Sequence, residues 1–252
     1  MNNSTSKLSA RWPTSWPPDS FRAGPTALLL LAIVGVAAVV LAGGVAWLFA
    51  SEPVIRETRA IPVIPAVIIQ LVLEVAIVAI ILFALPRVAK FSLRELGFYM
   101  PDGRVLLYGI LGAVAMIVIV QGSAAIIDAL THQQHQQEVV QLFKGLRAPG
   151  AMWFFGIFAA IIAPVAEETI FRVFIFNAGL RYGGLWVGAI VSGTLFGAVH
   201  GDVYAFLPLA LGGVLLCWLY YRSGCAFTSM ISHGLFNTVT LLAIVFAPKL
   251  AS

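Results

Sequence analysis

The sequence predicts an all-α fold: a polytopic bundle of about seven to eight membrane-spanning helices, one of them broken or kinked near Pro164. Three observations predict it. Of 252 residues, 60% are hydrophobic and only 10% are charged, whereas a soluble domain carries roughly a quarter charged residues to cover its water-facing surface. The apolar residues fall into blocks of ~20 or more, the length at which a helix crosses a bilayer. Polar links between the later blocks are very short, which implies antiparallel neighbours.

Residues 1–24 combine Lys7, Arg11 and Arg22 with Pro13, Pro17 and Pro18. They lack the short apolar core and small-residue cleavage site of a signal peptide, so a disordered cytoplasmic leader is expected. Residues 25–150 read as N-terminal transmembrane helices and a polar loop, with apolar blocks at 26–50, 63–86 and 104–130. The loop 131–150 contains His132 and His135, three residues apart. A polar interfacial helix is expected there. Residues 151–247 hold four further blocks at 151–181, 184–200, 203–222 and 225–247, separated by Gly183-Gly184, Gly201-Asp202 and Ser223-Gly224. The first of these is too long for one straight span, and Pro164 interrupts it, so the kink or break is placed there.

With the N-terminus inside, ten of the fifteen Lys and Arg residues fall on inner segments and five on outer ones, which favours a cytoplasmic N-terminus. The net charge of +4 is spread too thinly to form a nucleic-acid footprint. Cys217 and Cys225 lie in or beside apolar runs and read as buried, inert thiols rather than a disulfide framework. There is no internal repeat.

Ionisable residues inside membrane spans are costly and tend to face a bundle interior or a watery cavity. Here they gather in the last hundred or so residues. Glu168 and Arg172 are one helical turn apart and can neutralise each other. Glu167 is rotated by about 100° from Glu168 and needs another partner. His233 and Asn237 share a face at the same spacing, as do Phe196 and His200, whose ring can shield the imidazole. If 165–181 and 184–200 form a hairpin turning near Tyr182-Gly183, Glu167 lies about 15 residues before the turn and His200 about 17 after it. At 1.5 Å per residue their depths agree within roughly 3–4 Å. The set could also be polar glue between helices, or a proton or ion path, to which Glu74, alone in the second span, would contribute.

Glu-Glu-x-x-x-Arg at 167–172, Phe-x-x-x-His at 196–200 and His-x-x-x-Asn at 233–237 resemble the three signatures of the CPBP (CAAX protease and bacteriocin-processing, or Abi) intramembrane protease family, which includes the Ras-converting CAAX endopeptidases. Phe-Ser-Leu-Arg-Glu-Leu-Gly-Phe at 91–98 is similar to the lead-in of many bacterial members. The resemblance is strong over 151–247, the expected catalytic helices. It implies hydrolysis of peptide bonds in membrane-associated substrates, of CAAX or peptide-precursor type. Glu167 would be the general base on a water that His200 also holds, His233 and Asn237 would stabilise the oxyanion, and Glu168 and Arg172 would form a structural pair. Glu167, His200 and His233 could instead ligate Zn2+, making a metallopeptidase; a metal-free glutamate mechanism uses the same residues. The expected partners are a peptide or protein at the membrane and the bilayer itself, with no nucleic acid. The expected location is a bacterial plasma membrane.

Other intramembrane proteases fit less well. There is no His-Glu-x-x-His, and Ser192-Gly193 looks like a small-residue helix contact rather than a serine nucleophile. Asp128 and Asp202 lie near membrane edges. The non-enzymatic alternatives are a scaffold or immunity protein and a proton-coupled transporter.

Overall fold

A computed structural model describes residues 63–84, 92–132 and 149–246. The leader 1–24, the apolar block 26–50 and His135 lie outside the described residues. Every element among the described residues is helical. Helix α1 (Val63–Ala79) continues through wider π-helical turns at Ile80–Ala84, and α2 is Gly103–Thr131. Next comes one long helical run made of α3 (Pro149–Ile157), π-helical turns at Phe158–Ile162, α4 (Ala163–Glu168), π-helical turns at Thr169–Phe176 and α5 (Asn177–Ala198). Helices α6 (Val203–Ser223) and α7 (Ala226–Phe246) close the bundle.

Among the described residues four runs are long and apolar enough to cross a membrane: Gly103–Thr131, Pro149–Ala198, Val203–Ser223 and Ala226–Phe246. Their outer surfaces match lipid as solvent. Along α2, Leu107, Leu111, Val114 and Val118 are exposed, while Gly109, Gly112, Ala113, Met116 and Val120 are buried. Large apolar groups outside and Gly109, Gly112 and Ala113 at the contact is the arrangement of helices packed by close approach rather than by escape from water. Helix ends follow local capping chemistry. Asp102 Oδ1 accepts from the Val105 N–H at 3.0 Å, and Asp202 Oδ1 accepts from those of Tyr204 and Ala205. His132 closes α2 in the left-handed conformation at φ 54°.

The expected break at Pro164 is not where the long run turns. The backbone remains helical at Ile162, Ala163 and Glu168, and Pro164 sits in the first turn of α4, where its missing N–H matters least. The reversal comes at Gly184, whose φ of 79° and ψ of −179° leave helical space. That backbone conformation suits glycine because it has no Cβ. The chain then returns antiparallel. Gly179 and Gly188 meet backbone to backbone, and the Ser192 hydroxyl donates to the Phe171 carbonyl at 2.7 Å. Ser192 is thus a helix contact.

At the end of the bundle holding the α6–α7 turn, residues 92–99 form a strap. Ser92 donates twice to Glu95 Oε2 to close its first turn. The Ala226 N–H donates to the Gly97 carbonyl at 3.0 Å, and the Tyr220 hydroxyl to the Leu96 carbonyl at 2.8 Å. Gly97 has φ +87°, and a Cβ on it would lie 2.8 Å from the Gly224 carbonyl oxygen. Cys217 and Cys225 are buried free thiols beside this core.

A Cβ on Gly188 would lie 2.6 Å from the Leu180 nitrogen, with no flexible side chain to yield, so Gly188→Ala should destabilise the protein by about 1–3 kcal/mol. Gly122→Ala in α2 meets nothing within 4 Å and should be neutral or stabilising by up to ~1 kcal/mol. Thermal unfolding of both variants in detergent tests this; equal melting temperatures would contradict the hairpin contact.

Candidate active site

The site forms where α4, the π-helical turns after it, α5 and α7 converge. Arg172 is fully buried, and its Nη1 lies 3.0 Å from Glu168 Oε1. Its other terminal nitrogen donates to the Gly213 carbonyl on α6 at 3.3 Å, and its guanidinium carbon stands 4.4 Å from the centre of the Phe196 ring. A charge this deep is tolerated only with a counter-charge, which Glu168 supplies. Arg172 is therefore a structural cation rather than a topology signal.

Glu168 also engages α7. His233 Nδ1 lies 3.0 Å from the Glu168 Oε1 that Arg172 holds. A carboxylate paired with a guanidinium can only accept, so Nδ1 carries the hydrogen and donates. That fixes the tautomer and turns Nε2 of His233 toward Glu167, whose Oε2 is 3.8 Å away. The two neighbouring glutamates thus have different environments. Glu168 is sealed in with its partners, while the Glu167 side chain keeps 14% of its exposure.

His200 lies in the turn after α5 and is exposed. Its Nδ1 is 2.6 Å from the Phe196 carbonyl oxygen, an acceptor only, so Nδ1–H donates and Nε2 is left free. The Phe196 ring packs edge-on against His200, with centroids 4.9 Å apart, and against His233 at 5.5 Å. One aromatic plate therefore spaces both imidazoles and covers the guanidinium. The motif spacing put Phe196 beside His200; nothing in it pointed to His233 or Arg172.

Asn237 is placed by Pro164. In the π-helical turns the Ala163 N–H reaches back five residues to the Phe158 carbonyl. The next bond in that register would take the Ala159 carbonyl to residue 164, which is proline and has no N–H. Asn237 Nδ2 donates to that carbonyl at 2.8 Å. One turn earlier on α7, a Cβ on Gly234 would lie 2.7 Å from the Ala160 oxygen, so glycine permits the approach. One N–H of the Asn237 amide is thereby occupied and one remains.

The structure therefore brings Glu167, Glu168, Arg172 and His233 into contact, joins His200 to them through Phe196, and anchors Asn237 beside them on α7. Among the described residues no group of three His, Cys, Asp or Glu side chains is placed to hold a metal ion. Glu167, His200 and His233 do not form such a group in this arrangement.

Residues 149–239 match the family model for Type II CAAX prenyl endopeptidase Rce1-like proteins. The chain is 29% identical over 86 residues to "Putative membrane peptidase YdiL" of Bacillus subtilis (strain 168), covering 34% of this chain and 35% of that protein. It is also 29% identical over 115 residues to "UPF0177 protein YaiF" of Lactococcus lactis subsp. lactis (strain IL1403), covering 44% of this chain and 48% of that protein. The matches thus span between a third and a half of these relatives. No solved structure matches the chain. The segment similar to the Rce1-like CAAX prenyl endopeptidases is the one that carries Glu167, Glu168, Arg172, His200, His233 and Asn237.

Proposed function

We propose that this chain is an intramembrane endopeptidase that hydrolyses peptide bonds of membrane-associated proteins or peptides with a water activated by Glu167. The observation that carries the reading is the division of labour between adjacent glutamates. Glu168 is consumed by Arg172 and His233, while Glu167 stays partly accessible, 3.8 Å from His233 Nε2.

In this reading Glu167 takes a proton from water, and the hydroxide attacks the scissile carbonyl carbon. His200, through its free Nε2, holds the same water. The oxyanion is met by His233, whose protonated form Glu168 stabilises from behind, and by the remaining N–H of Asn237. Glu167 then returns its proton to the leaving amine, which closes the proton balance. Glu168 has the role of an orienting carboxylate behind a histidine, in addition to its structural pairing with Arg172. The similarity of residues 149–239 to CAAX prenyl endopeptidases favours a substrate with a lipid-bearing or membrane-embedded C-terminus.

A proton-coupled transporter is the rival reading, favoured by one observation: a further buried carboxyl, Glu74, lies on α1. Cleavage of a fluorogenic peptide library by the purified protein, by Glu167→Ala, and by the parent with a chelator separates the readings. The parent should cleave, Glu167→Ala should lose about 10²–10⁴-fold in kcat, and the chelator should leave the parent's rate unchanged. Equal cleavage by parent and variant would remove Glu167 from the chemistry, and a chelator-sensitive parent would require a metal.

A further inference from the structure

Helix α7 is pinned to the long helical run at two residues one turn apart. His233 is held by the Glu168 carboxylate, and Asn237 by the Ala159 backbone, its Nδ2 donating to that carbonyl at 2.8 Å. The first anchor joins two side chains. The second is unusual, because a carbonyl inside a helix normally accepts from its own ladder.

Pro164 is what leaves that carbonyl open. The Ala163 N–H is taken by the Phe158 carbonyl. Residue 164 is next in line, and an N–H there would reach Ala159 in the π register or Ala160 in the α register. Proline has none. Both carbonyls face α7. Ala159 takes the Asn237 amide, and the Ala160 oxygen lies so close to Gly234 that a Cβ there would stand 2.7 Å from it. Pro164 itself is buried, and α7 packs along these turns and α4.

The consequence is for the amide. An untethered asparagine side chain turns about χ2 and can present either its oxygen or its NH2 to a given point. With one N–H tied to a main-chain carbonyl, the amide plane is fixed and the second N–H is held at a set angle to the first. Asn237 is only partly buried. A donor fixed before the reaction needs no reorganisation when negative charge develops on an oxygen.

We propose that Pro164 is a positioning residue of the peptidase reaction: by withholding an N–H from its helix it leaves the Ala159 carbonyl to Asn237, and so fixes the amide that meets the oxyanion. Its effect on rate rests on the peptidase reading above; its coupling to Asn237 does not.

A double-substitution cycle on the full-length protein in detergent tests both. It uses Pro164→Ala, which restores an N–H, and Asn237→Leu, which keeps bulk and removes the amide. Melting temperature reads the coupling. Asn237→Leu should lower it by roughly 3–8 °C when residue 164 is proline, because the Ala159 carbonyl is left bare. In the Pro164→Ala protein the loss should be less than half as large, because the new N–H takes that carbonyl. Peptide turnover reads the role. Pro164→Ala should lower kcat about tenfold with KM unchanged, and the double variant should be no slower than Asn237→Leu alone. Equal melting losses in the two backgrounds, or turnover losses that multiply, would overturn the proposal. So would a Pro164→Ala protein that turns over like the parent. Pro164→Leu supplies the same N–H and takes the place of alanine in the cycle if that variant does not fold. A parent that cleaves nothing would sink the peptidase reading, and the melting cycle alone would then decide whether Pro164 holds Asn237.

Discussion

The buried pair of Arg172 and Glu168 is the constraint on which the rest of the structure depends. Both side chains are fully buried, 3.0 Å apart, inside the helical bundle. Neither charge is tolerable there alone: removing one partner of a buried pair typically costs about 3–5 kcal/mol, because the other is left uncompensated. The demand for compensation recruits three other elements. The Gly213 carbonyl of α6 accepts from the guanidinium, the Phe196 ring of α5 covers it, and His233 of α7 donates to the carboxylate. A helix-stabilising ion pair in this way also gathers α5, α6 and α7, and it leaves Glu167 as the glutamate outside the pair.

Close backbone contact makes that recruitment possible. Arg172 reaches Gly213 because α5 and α6 pack on small residues: a Cβ on Gly213 would lie 2.8 Å from the Gly193 Cα. On the other side, the Ser232 hydroxyl of α7 donates to the Gly109 carbonyl of α2 at 2.9 Å. Lipid offers no hydrophobic drive for helices to associate, so contact area and interhelical hydrogen bonds must supply it. The strap at 92–99 contributes in the same way, tying the α6–α7 turn through backbone bonds to Gly97 and Leu96.

Much of this was legible in the sequence because hydropathy and helical spacing are local. The apolar blocks that fall on described residues are helical, and the antiparallel return expected near Tyr182-Gly183 comes at Gly184. The Glu168–Arg172 pairing followed from one-turn spacing. What was not legible depends on contacts across the chain. The bond between Glu168 and His233 joins residues 65 apart, and no periodicity relates them. Proline at 164 announced a lost hydrogen bond, and its local reading was a kink or a break. The helix instead widens on either side, and Asn237 satisfies the carbonyl left bare. Phe196 looked like a shield for one histidine because its sequence neighbour is all that spacing can show.

The central claim is that neighbouring glutamates of one helix have opposite duties, Glu168 holding the bundle together and Glu167 performing chemistry. The most direct test compares Glu167→Gln and Glu168→Gln in the same detergent, recording melting temperature and peptide turnover for each. The account predicts that Glu167→Gln melts with the parent and loses turnover, whereas Glu168→Gln melts markedly lower because Arg172 is left without its counter-charge. A Glu168→Gln protein as stable as the parent, or a Glu167→Gln protein that keeps full turnover, would contradict it.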